Sequence, residues 1–235
     1  MRRCTLPTLS LLVLTLSAHP PGVAPSPARA ASFPCAKATT PTEKAICADQ
    51  GLSKLDERLA AAYRSALNQL SGSSPEEGKA QAALKADQRA WLGERNGCGG
   101  DVSCLRAVQE RRLAVLSFQP DPAAPSPADS FVGRFDHRGV MTLAVLPLRD
   151  GRVAVSLSGA EPTSGRWVCD FSEVGRVGSD GRLTVGTPGA EGNGLVIESK
   201  GEAGLDIPDT EANRAASGNW CGMGGNVVLP YRRTP

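Results

Sequence analysis

Apolar residues recur every three or four positions between Pro41 and Leu116, then at every second position from Phe131 onward. The first spacing is that of helices with one buried face and the second that of strands, so one chain carries two patterns. In the helical part, Leu52, Leu55, Leu59, Ala62, Tyr63, Ala66 and Leu70 form one stripe. Ala80, Ala83, Leu84, Gln88, Trp91 and Leu92 form a second, and Leu105, Val108, Leu113 and Leu116 a third that starts near Asp101. Thr40-Pro41-Thr42-Glu43 and Ser74-Pro75-Glu76-Glu77 both read as capping boxes with proline at the first helical position. A short helix is therefore expected from Pro41 to about Ala48, yielding at Gly51. The break at Ser71–Ser74 is short enough to make the two long helices antiparallel.

The alternating part predicts short strands at Phe131–Phe135, Met141–Leu146, Val153–Leu157, Trp167–Phe171, Leu183–Val185, Leu195–Ile197 and Val227–Tyr231. Asp150-Gly151 and Asp180-Gly181 mark hairpin turns, and the glycines from Gly218 to Gly225 a turn before the last strand. Between the two patterns lies QPDPAAPSPADS, residues 119–130, whose four prolines exclude helix and central strand and suggest an extended spacer of about 3.1 Å per residue. The fold class expected is α+β in two modules. An antiparallel helical hairpin or bundle (31–118) is followed by a linker (119–130) and a small antiparallel β-barrel or sandwich (131–235).

The first thirty residues change the charge and cysteine arithmetic. Arg2 and Arg3, the apolar run Leu6–Leu16 and Ala28-Arg29-Ala30 have the layout of a secretory signal peptide, giving an exported protein, periplasmic or secreted. The run is too short for a membrane span, which needs roughly 20 residues. The leader holds three basic residues and no acidic one, so the remainder carries 23 Lys and Arg against 24 Asp and Glu. Nothing in that balance argues for nucleic acid as a partner.

Cys4 and His19 also fall in the leader, leaving six cysteines and one histidine, His137. An even cysteine count in an exported chain favours disulfides and argues against a zinc site. Cys47, Cys98 and Cys104 come to one end of the helical hairpin, within reach of Cys35. The local pairs Cys35–Cys47 and Cys98–Cys104 are preferred; Cys47–Cys98, tying the long helices together, competes. Cys169 and Cys221 are expected to bond to each other.

Catalytic chemistry is poorly represented. No carboxylate pair stands out, and there is neither a phosphate-binding glycine loop nor a G-x-S-x-G elbow. Cys221 as nucleophile with His137 as base would strand Cys169 as an odd thiol. No enzyme, metal or cofactor is expected. Gln88, Trp91 and Arg95 share a helix face. They suit either an interface or the hairpin core, and the core reading is preferred, as it is for Asp56 and Tyr63.

The helical segment resembles the LprI-like lysozyme-inhibitor family. The likeness runs from Phe33-Pro34-Cys35 through Glu43-Lys44-Ala45-Ile46-Cys47, Leu55-Asp56 and Ala62-Tyr63. It continues to Asp87-Gln88-Arg89-Ala90-Trp91-Leu92, Arg95, Cys98, Cys104 and Arg112-Leu113. The resemblance implies an inhibitor that binds a c-type lysozyme and occludes its cleft. The alternative is a non-inhibitory envelope module contacting peptidoglycan or another exported protein. Two surfaces are candidates for partner binding: the Gly97–Val102 loop with Gly99 and Asp101, and the glycine-rich turn with Met223 and Asn226.

Overall fold

The computed structural model describes residues 31–72, 78–189 and 193–234. The leader, including Cys4 and His19, and the second capping box at Ser74–Glu77 lie outside the described residues. Among the described residues four α-helices precede the sheet: α1 (Pro41–Ala48), α2 (Gln50–Gln69), α3 (Lys79–Gly97) and α4 (Val102–Leu116). The Thr40 hydroxyl accepts from the Glu43 N–H, and the Glu43 carboxylate accepts from the Thr40 N–H, completing the first capping box. The helix boundary near residue 50 is made by Asp49, whose carboxylate accepts from Leu52 N at 2.8 Å. Gly51, expected to break the chain, lies inside α2.

α2 and α3 run antiparallel: Gln81 Nε2 donates to Leu67 O at 2.8 Å near one end. Arg95 meets Asp56 at 3.7 Å near the other. Disulfides Cys35–Cys47 and Cys98–Cys104 staple this unit, closing 12 and 6 residues. Cys98 packs with Ile46, Leu52 and Leu105, so the cysteine-rich end has its own small core.

The β region is a closed barrel of eight antiparallel strands in sequence order. They are β1 (Gly133–His137), β2 (Met141–Pro147), β3 (Val153–Ala160), β4 (Val168–Val177), β5 (Leu183–Thr187), β6 (Asn193–Ser199), β7 (Leu205–Asp206) and β8 (Pro230–Arg233). Alternate residues such as Leu143, Val145, Val155, Phe171, Val185 and Ile197 fill one core with Phe135 and Tyr231. The interior is thus packed with side chains, as an eight-stranded barrel of this width allows. Both expected Asp-Gly turns form, with Gly151 and Gly181 at φ +75° and +76°. Gly218 is not in a turn but in α5 (Glu211–Trp220), which follows β7. The glycine turn starts only after it, where Gly225 N donates to Gly222 O. α5 stands in for a longer β7. Asn213, fully buried, donates to Val196 O and Pro208 O and accepts from Val196 N, all within 2.9 Å. Its amide thereby pairs a stretch of β6 that the two-residue β7 does not reach.

Residues 119–130 do not form an extended spacer. Ala124 N closes a turn on Asp121 O, and Pro127–Ser130 form a 3-10 turn capped by Ser126. The prolines fit because one of them opens that turn, where no N–H is needed. The helices pack on the barrel: Leu59, Leu84, Trp91 and Leu116 share a buried cluster with Ala144, Leu146, Leu148 and Ala154. β2 and β3 are consequently covered on both faces. At the N-terminus of α3 the backbone lies flush on β4. A Cβ at Gly78 would stand 2.1 Å from Ser172 Oγ, so only glycine allows that approach. Lys79 Nζ then reaches the buried Glu173 at 2.6 Å.

Candidate functional site

The helix-face residues singled out in the sequence build a charged and aromatic node between the helices. Trp91 is buried, and the guanidinium carbons of Arg95 and Arg112 stand 5.6 and 5.9 Å from its ring centroid. Both distances are within cation–π range. Arg112, 3% exposed, donates through Nε to Gln88 Oε1 at 2.9 Å and through an NH group to Asp87 Oδ2 at 2.6 Å. Burial pulls its guanidinium below the ordinary arginine value, and Asp87 opposes that shift. Burial does the same to Arg95, against Asp56 and Glu43. Asp56 also accepts from the Ser32 N–H and hydroxyl, tying the segment before Cys35 to α2. Tyr63 is half-buried against the shared cluster.

This node continues into the barrel. Asp87 accepts from Arg149 N at 3.0 Å, and Glu94 joins Arg149 at 2.8 Å and Arg111 at 3.0 Å. Sequence reading placed Asp87 and Arg112 in the family-like string and gave them no task. Arg149, in the turn after β2, it did not single out. Spacing along one helix cannot show a partner about sixty residues away.

The two proposed contact surfaces are distinct in character. In the Gly97–Val102 loop, Gly99 has φ +57°, and its carbonyl accepts from the buried Thr42 hydroxyl at 2.9 Å. Asp101 caps α4, and its carboxyl is held below the usual carboxylate range by Cys104 N, then by the Ser103 hydroxyl and N–H. The exposed residues of the loop are Gly97, Gly100, Asp101 and Val102, the last 39% exposed. In the second surface Met223 is 95% exposed beside Val168 at 45%. Asn226 is used internally, accepting from the Ser217 hydroxyl and Val228 N. The Cys169–Cys221 disulfide anchors this turn to β4 and excludes a Cys221 nucleophile. His137 instead lies with Nδ1 2.6 Å from Pro230 O.

Among the described residues no cluster of three or more His, Cys, Asp or Glu could hold a metal, and no helix is long and apolar enough to cross a membrane. Together these residues make a disulfide-stapled helical unit around buried Trp91 and Arg112, with Gln88 and Arg95 half-buried beside them. Residues 35–116 match the family described as Lysozyme inhibitor LprI. Lipoprotein LprI of Mycobacterium bovis (strain ATCC BAA-935 / AF2122/97) and of Mycobacterium tuberculosis (strain ATCC 25618 / H37Rv) are each 31% identical over 121 residues, 50% of this chain and 56% of theirs. The chain therefore spans about half the length of the curated relatives it matches. No solved structure matches it. The barrel falls outside the matched family segment.

Proposed function

We propose that this protein is an exported lysozyme inhibitor that binds a c-type lysozyme and obstructs its substrate cleft. The match of residues 35–116 to the lysozyme-inhibitor family carries this reading. Export is supported by the lipoprotein names of the relatives and by three disulfides, which persist in oxidising compartments. Obstruction needs no catalytic group, only a surface that keeps its shape on binding, because ordering a mobile loop costs affinity. The Gly97–Val102 loop meets that requirement: a disulfide closes it and Thr42 holds its centre. It also lies inside the matched segment, unlike Met223. We assign the contact to Gly97, Gly100 and Val102, with Gly99 and Asp101 setting the loop's shape. Residues 31–118 would be the inhibitory unit and 131–235 a supporting one, joined through 119–130.

The test is the clearing of a cell-wall suspension by a c-type lysozyme with increasing amounts of the protein. Inhibition near equimolar ratio is expected, and Val102→Arg should weaken it at least tenfold while Met223→Arg leaves it intact. Clearing that proceeds unchanged at large molar excess would remove the inhibitor reading. Co-sedimentation with peptidoglycan in that case would favour an envelope-binding module.

A further inference from the structure

Among the described residues, sulfur occurs in six cysteines and two methionines, Met141 and Met223. All six cysteines are tied in disulfides. Met141 is 1% exposed in the barrel core, with its Sδ set over Gly159, where an added Cβ would come within 2.2 Å of it. Met223 is 95% exposed. It is therefore the one reduced sulfur among the described residues that solvent reaches freely. The turn that carries it is clamped. Cys221 is bonded to Cys169, Gly222 N donates to Val168 O at 2.8 Å, and Gly225 N donates to Gly222 O at 2.9 Å. The turn also lies flat on Trp167: a Cβ at Gly225 would stand 3.2 Å from the indole and 2.8 Å from the Cys221 Cβ. Glycine on both sides of Met223 leaves no adjacent side chain to shield the thioether.

We propose that Met223 is an oxidation site for small hydroperoxides, through which the exposed Val168–Met223 patch is converted from apolar to polar. A lone pair of Sδ attacks the terminal oxygen of the peroxide. The S–O bond forms as the O–O bond breaks, and the proton on the transferred oxygen passes to the departing one, which leaves as water or an alcohol. The sulfur is oxidised to the sulfoxide and the peroxide is reduced, with no further reactant. A flexible apolar side chain thereby becomes a polar one that accepts hydrogen bonds. Three disulfides suit the chain to an oxidising compartment, and no free thiol among the described residues competes for the oxidant. The site does not depend on the lysozyme reading, because Met223 lies outside the matched segment 35–116.

The experiment exposes the protein to dilute hydrogen peroxide, quenches samples at intervals, digests them and weighs the peptides that hold Met141 and Met223. Met223 should take up oxygen as fast as N-acetylmethionine amide in the same solution. It should react at least about tenfold faster than Met141, which is reached only when the barrel opens. The oxidised protein should leave a phenyl column earlier than the parent. Met223→Gln, which carries a polar acceptor in place of the thioether, should elute early without peroxide. Met223→Leu should keep the late elution and lose the fast oxygen uptake. Equal rates for the two methionines, or a Met223 rate far below that of the amide, would show that the turn does not present its sulfur and would overturn the proposal. Unchanged elution after complete oxidation of Met223 would overturn the conversion of the patch.

Discussion

Two fully buried amides have opposite surroundings. Asn213 makes three hydrogen bonds, two to the Val196 backbone of β6 and one to Pro208 O. Gln109, equally buried on α4, has no partner for either end among the described residues. Leaving a buried polar group unmet costs about 1–3 kcal/mol, whereas removing an already unmet one relieves that cost. Asn213→Leu should therefore destabilise by about 2–4 kcal/mol in urea unfolding, since it strands one N–H and two carbonyls while forcing extra bulk into a packed site. Gln109→Leu, close to it in volume, should be neutral or stabilising by about 1 kcal/mol. A large loss in the second variant would show that an internal water satisfies Gln109. Sequence made neither residue visible: the local pattern around a polar residue gives no sign of whether it finds a partner.

Among the elements, α1 depends on a carboxylate. Glu43 is held at about 2, against an ordinary 4.5, by the Thr40 N–H, then the Thr39 N–H and the Thr40 hydroxyl. The folded value lies below the unfolded one, so its contribution is complete above pH 4.5 and is lost as pH falls toward about 2. The Thr40 amide resonance should move through that window, and Glu43→Gln should abolish the movement. Glu161 titrates in the same direction and range, held by the Ser164 hydroxyl and N–H and by the Thr163 N–H. The capping box at the head of α1 was readable because its signal lies within four adjacent residues. α5 was not, since Glu211–Trp220 holds three alanines, one serine, one glycine and no apolar stripe of the usual width. What fixes it is long-range: the Asn213 bonds and the edge-on contact of Trp220 with Phe171 at 5.3 Å. The Cys169–Cys221 bridge closes 52 residues around it, against 6 for Cys98–Cys104. On chain-entropy grounds, replacing the longer bridge by serines should cost about 4 kcal/mol and the shorter about 2. Equal losses in thermal melts of the two double variants would refute that ordering.

For the molecule as a whole, the shared cluster makes the helices and barrel interdependent. Leu146 is fully buried on the barrel's outer face by helical residues. Leu146→Ala should cost about 2–5 kcal/mol. It should lower together the helical signal at 222 nm and the fluorescence of Trp167 and Trp220. Two separated transitions in the parent protein would show that the units unfold independently. The class of each unit was legible from period alone, but their contact was not. One trace was present: Leu143–Leu146 and Val153–Val155 are unbroken apolar runs, the mark of strands covered on both faces. The proline-rich connection suggested separation because composition reports local stiffness and says nothing of what packs across it.

Closure of the barrel sets an order of events during synthesis. Thr234 bonds to Arg134 across 100 residues, and the β1–β8 ladder beside it is the seam that removes the last open edges. Until that segment has left the ribosome, Phe135, Leu143 and Val155 have no finished interior to enter. The helical unit, built from nearer neighbours, can form earlier and cover β2 and β3 as they arrive. It would then shelter the most apolar strands of the nascent barrel from intermolecular pairing.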